Sequence, residues 1–91
     1  MSAISFHGNM TTGHDSYPPT QIKATQSKVF VGGKPVLING DLADNHGHFP
    51  VGTCVASSSK VFVGGVAIMQ IGDSLTDGDH IAQGSSSVFI K

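Results

Sequence analysis

The sequence predicts an all-β domain: a small, closed, pseudo-three-fold body built from one repeated β-hairpin unit. Three observations predict it. A seven-residue segment recurs unchanged 32 positions later, and no stretch shows helical periodicity. The composition is that of a turn-rich chain, with twelve Gly and four Pro in 91 residues.

The repeat comes first. Ser27-Lys28-Val29-Phe30-Val31-Gly32-Gly33 is identical to Ser59-Lys60-Val61-Phe62-Val63-Gly64-Gly65, and the match continues from Val36–Asp41 into Ile68–Asp73. A third copy is divided between the two ends of the chain: Ser86–Lys91 repeats the first strand, and Ala3–Asn9 aligns with Pro35–Asp41. The reading is one domain over residues 1–91, with units at about 27–58 and 59–85 and a third split between 86–91 and 1–26. Gly-Gly between two apolar runs marks a hairpin, because both turn positions can take positive φ at no steric cost. Val29, Phe30 and Val31 alternate as a strand with two faces requires. A split third copy closes by pairing the last strand with the first, which leaves no free edge.

Bulk properties exclude several classes. A chain of this length buries only about 60–65% of its unfolded surface, so its core needs a staple. Cys54 is the single cysteine, which rules out an internal disulfide and leaves a metal or a partner. Five Lys/Arg and a formal charge of −1 argue against a nucleic-acid surface. No apolar run approaches a membrane span, and the first ten residues lack a signal-peptide pattern. The charged fraction, 12%, is low for a free small domain and points to a surface covered by a partner.

The connectors Met10–Gln26, Leu42–Ser58 and Ser74–Ser85 carry the chemistry. They hold His14, His46, His48, His80 and Cys54, with the offset relating His14 to His46 and His48 to His80. A three-fold arrangement brings equivalent connector positions to one end, where imidazole and thiolate suit zinc. A hydrogen-bonded His cluster is the alternative, since neither CxxC nor HxxxH spacing is present. His7 stands outside the set because its equivalents, Asn39 and Ile71, are not ligand types. Catalysis is not expected. Cys54 with a His and Asp79 lacks an oxyanion-hole motif, and Gly32-Gly33 lies between strands rather than before a helix. Asp41 and Asp73 recur in Gly-Asp pairs and are read as turn residues that bind their own backbone.

The units VFVGGKPVLINGD and VFVGGVAIMQIGD resemble the PAAR-repeat proteins, as do Thr12-Gly13-His14 with Pro18-Pro19 and the closing Asp79–Ser86. The name-giving Pro-Ala-Ala-Arg reads Pro35-Val36-Leu37-Ile38 and Ala67-Ile68-Met69-Gln70 here, so the arginine is absent. The resemblance implies a small pseudo-three-fold cone of β-hairpins with a metal-pinned apex. The resemblance further implies that this cone caps the trimeric β-helical spike (VgrG-like, or a phage tail spike) of a type VI secretion system or contractile tail. It implies one zinc ion held by three His and one Cys, which by position are His14, His46, Cys54 and His80. His48 is the rival of His46, but the seven residues between His46 and Cys54 allow an easier return around one ion than the five after His48. The expected function is a non-enzymatic, membrane-piercing tip, one per trimer, assembled in the cytoplasm and delivered outside or carried in a virion tail. A zinc-binding adaptor that loads effectors onto the spike is the alternative. The chain starts at the first repeat and stops at the last strand, so no toxin extension is expected.

Overall fold

The computed structural model describes residues 2–14, 16–45, 47, 51–57 and 60–90, and places ten two-residue strands in five antiparallel pairs. The hairpins are where the sequence puts them. Strand β3 (Phe30–Val31) turns through Gly32-Gly33 into β4 (Lys34–Pro35), and β7 (Phe62–Val63) turns through Gly64-Gly65 into β8 (Val66–Ala67). Both glycines of each turn have positive φ, 58° and 81° in the first and 58° and 83° in the second. Those angles match the twist of the flanking strands, which a side chain at either position would strain. The third hairpin is assembled from the two ends: β1 (Ser2–Ala3) pairs with β10 (Phe89–Ile90) in the register Ser2↔Ile90 and Ala3↔Phe89.

The three copies interlock through a ring of hydrogen bonds. Ser5 N–H donates to Met69 O, Met69 N–H to Leu37 O, and Leu37 N–H back to Ser5 O, at 3.1, 2.9 and 3.0 Å. The isolated bridges Ile4↔Gln70, Phe6↔Val36 and Ile38↔Ile68 repeat the same three-fold relation. Each inner segment ends in a turn closed twice. Asn9, Asp41 and Asp73 donate their N–H to the carbonyls of Phe6, Ile38 and Gln70. Their side-chain oxygens accept the N–H of those same residues at 2.8, 2.8 and 3.0 Å. The recurring aspartates are therefore turn residues, as their Gly-Asp context implies.

The core has two layers. One joins Ile4, Val36 and Ile68 with Val63 and Ile90, all copies of two repeat positions. The other joins Ile22, Leu37, Ala43, Cys54, Met69, Leu75 and Ile81, beneath the connectors. The first copy contributes buried Ser5 and Thr11 where the others have Leu37/Met69 and Ala43/Leu75. Both hydroxyls are satisfied: Ser5 donates to Gln83 O, and Thr11 Oγ1 accepts the N–H of Thr20. The body measures 32 × 23 × 22 Å.

After these turns come the connectors, which are shorter than the sequence suggests. Strands β2 (Ile22–Lys23) and β6 (Cys54–Val55) return to pair with β5 (Leu42–Ala43) and β9 (Ser74–Leu75). The bridges Met10↔Gln21, Leu42↔Thr53 and Ser74↔His80 make Gln21, Thr53 and His80 equivalent. His80 is thus not the repeat partner of His48. The third connector has lost five residues before position 80, so a constant offset of 32 misaligns that stretch. No helix of the described residues is long and apolar enough to cross a membrane.

Candidate metal centre

The first connector folds back on itself at His14. His14 N–H donates to Tyr17 O and Tyr17 N–H to His14 O, and the imidazole lies 5.1 Å from the Tyr17 ring, tilted by 37°. Its side chain is only 6% exposed, and Nε2 sits 3.1 Å from Asp77 Oδ2, whose side chain is 2% exposed. Asp77 belongs to the third connector, the tight loop Thr76-Asp77-Gly78-Asp79, where its Oδ1 accepts the N–H of Asp79.

Asp79 is fully buried. Its Oδ1 accepts the Thr12 hydroxyl at 3.1 Å and the His80 N–H at 2.9 Å, while Thr12 N–H donates to His80 O. These bonds tie the first connector to the third. The second connector reaches the same place through Gly52, whose missing Cβ leaves room for the Asp77 carboxylate; a Cβ there would lie 2.7–2.9 Å from it. Thr53 N–H donates to the Thr76 hydroxyl, and Thr76 N–H to Thr53 O. All three connectors thus meet at Asp77.

His14, Asp77 and Asp79 each offer a ligand atom within 4.8 Å of the others. Asp79 Oδ2 is buried with no hydrogen-bond partner among the described residues. A buried carboxylate oxygen without a donor is costly unless a cation meets it. Imidazole nitrogen and carboxylate oxygen are both ligands that a divalent metal such as zinc accepts. The donor set therefore fits a metal ion.

The residues expected from the sequence fall in different places. His14 lies in this cluster. His80 lends it backbone groups, but its own side chain is exposed and does not join the group of ligand atoms. His46 and His48 lie outside the described residues. Cys54, 1% exposed, lies in the inner core layer and not within the cluster. Its repeat equivalents are Ile22 and Ile81: the three accept the N–H of Gly8, Gly40 and Gly72 in turn, and donate to Asn9, Asp41 and Asp73. Burial pushes the Cys54 thiol up to about 12, helped by the nearby Asp41 and Asp73 carboxylates.

Sequence reasoning did not single out Asp77, and it weighed Asp79 only as a catalytic partner of Cys54; the structure brings both beside His14. The available signal was two carboxylates two residues apart around Gly78, in the shortest connector. It also dismissed His7, whose Nδ1 accepts the N–H of Ala24 at 3.0 Å and so does a structural job.

No curated protein matches the chain. The family model described as PAAR motif matches residues 12–81, a span that takes in His14, Asp77, Asp79 and both complete hairpins. With the sequence match and the three-fold hairpin body in agreement, the chain belongs to the PAAR motif family, whose members are structural spike tips of contractile injection systems and not enzymes.

Proposed function

We propose that this chain seats as a single copy on the end of a trimeric β-helical spike, with one zinc ion pinning its connector end. The observation that carries the reading is a three-fold apolar ring on the surface. Val29 and Phe30, Val61 and Phe62, and Val88 and Phe89 are exposed by 40 and 51%, 38 and 51%, and 38 and 45%. Six large apolar side chains in water at equivalent positions call for a partner. A monomer with three near-identical contact sites complements a true trimer, each repeat meeting one chain. On this reading the protein assembles in the cytoplasm and leaves on the spike, or travels in a virion tail.

The metal would staple the three connectors where they meet at Asp77, above the apolar layer of Ile22, Leu37, Cys54, Met69 and Ile81. Structural zinc supplies roughly 10–16 kcal/mol of apparent binding free energy that also counts toward folding. Bound there, it would neutralise Asp77 and Asp79 and hold the three connectors together. The sequence-derived ligands His14, His46, Cys54 and His80 and the triad His14, Asp77 and Asp79 share His14 and differ elsewhere.

Mixing with a trimeric β-helical spike tests the partner. Light scattering should show one copy per trimer, and Phe62→Asp should abolish the complex. Three copies per trimer, or no complex with a cognate spike, would refute it. Elemental analysis should find close to one zinc per chain. His14→Ala should remove it, and either Asp77→Asn or Cys54→Ala should do the same, which identifies the ligand set. Protein prepared without chelator that carries no transition metal would sink the zinc reading while leaving the spike reading standing.

A further inference from the structure

Two side-chain bonds of the repeat are made twice and missing once. His7 Nδ1 accepts the N–H of Ala24 at 3.0 Å, and Asn39 Oδ1 accepts that of Ala56 at 2.8 Å. The third copy has Ile71 at this position, and the Gln83 N–H has no hydrogen-bond acceptor among the described residues. A hydroxyl bond is lost in the same seam. Thr25 donates to Asp41 and Ser57 to Asp73, whereas the third copy sets Gly84 against Asn9.

Where those groups are missing, the surface opens. A concavity of about 530 Å³ is lined by Asn9, Ile71, Gln83 and Gly84, with Phe6 and Lys34 beside them. A second lobe of about 290 Å³ shares Phe6, Lys34 and Gly84 and runs along Ser85–Ser87. The Lys34 ammonium stands 5.5 Å from the centre of the Phe6 ring. No carboxylate lines either lobe among the described residues. The seam therefore presents an ammonium, an open backbone N–H and neutral donors, with no acceptor charge to oppose them.

We propose that this seam binds an acidic side chain carried on an extended segment of a partner protein. The carboxylate takes the Gln83 N–H, whose equivalents at Ala24 and Ala56 are capped by His7 and Asn39, and Lys34 supplies the opposite charge. A two-lobed groove open to solvent suits a chain laid along it better than an enclosed small molecule. Among the described residues only this seam leaves its N–H unbonded, because His7 and Asn39 cap the equivalent N–H groups of Ala24 and Ala56 in the other two. A body that is three-fold at its apolar ring thus carries a single off-axis address, and the partner binds one to one. This stands apart from the spike reading and uses none of the ring residues.

The test is a titration of ¹⁵N-labelled protein, followed by NMR, with the blocked peptide Gly-Gly-Glu-Gly-Gly, its Gln counterpart and acetate. The Glu peptide should give a saturable downfield shift of the Gln83 amide, and the Gln peptide should bind at least ~10-fold more weakly. Ile71→Asn installs the acceptor that Asn39 provides in its own copy and should abolish binding. Lys34→Ala should weaken it by about 10-fold, and Lys28→Ala, away from the seam, should not. Acetate binding as tightly as the Glu peptide would make this a site for free carboxylates and overturn the peptide proposal. So would a Gln83 amide that no carboxylate moves, or binding that survives Ile71→Asn.

Discussion

Gly52→Ala offers the sharpest probe of the connector cluster. The added Cβ falls 2.7, 2.8 and 2.9 Å from Oδ1, Cγ and Oδ2 of Asp77. Relaxed contacts between such atoms begin near about 3.5 Å, so the carboxylate must retreat by roughly 0.6–0.8 Å. A shift of that size breaks the 3.1 Å contact between Asp77 Oδ2 and His14 Nε2. Losing a buried, charge-assisted interaction costs about 1.5–3 kcal/mol. The stiffer unfolded chain returns about 0.4–1 kcal/mol. The net cost is therefore ~0.5–2.6 kcal/mol, or a melting temperature lower by ~2–20 °C in a domain of this size. Thermal melts followed by circular dichroism, in chelator, measure it. The same substitution made in an Asp77→Ala background should instead stabilise by about 0.4–1 kcal/mol, because the colliding group is gone and only the stiffer unfolded chain remains. Equal costs in the two backgrounds would refute the reasoning, since the damage would then come from the backbone of Gly52 and not from Asp77.

Two further outcomes follow from the buried groups. Asp41→Ala removes the acceptor for the Ile38 N–H at 2.8 Å and the Thr25 hydroxyl at 2.5 Å. It should cost ~2–4 kcal/mol in urea unfolding, whereas Asp41→Asn should cost about 1 kcal/mol, because Asn9 closes the equivalent turn with an amide oxygen. In chelator-treated protein Cys54 should resist alkylation until the chain unfolds. The folded thiol keeps its proton to about 12, while the unfolded chain releases it near the ordinary 9.0. Stability is therefore full below pH 9 and declines between pH 9 and 12, by at most ~1.4 kcal/mol per pH unit. Cys54→Val puts a β-branched apolar side chain there, as Ile22 and Ile81 do at the equivalent positions, and should remove that slope. A slope unchanged in the variant would assign it to another group.

The hairpins, the closed three-fold body and the turn role of Asp41 and Asp73 were legible in the sequence because they rest on local chemistry written repeatedly. Gly-Gly sets a turn by its own φ preference, and eight residues on an aspartate closes the next turn by accepting the N–H three residues before it. Ser2 and Ile90 had to pair because each end holds the missing half of a unit found intact twice elsewhere. The meeting of His14 with Asp77 was not legible: the residues lie 63 positions apart, on connectors of unequal length with no shared pattern. The same inequality hid the place of His80, and only the paired bridges reveal it as the equivalent of Thr53. Cys54 read as a ligand by residue type, yet its neighbours are decided by where the strand returns, and that return lays it over the core beside Leu37 and Met69. The open seam at Gln83 is likewise a property of packing. Ile71 and Gly84 are ordinary residues in sequence, and their meaning lies in the two bonds that their counterparts make and they do not.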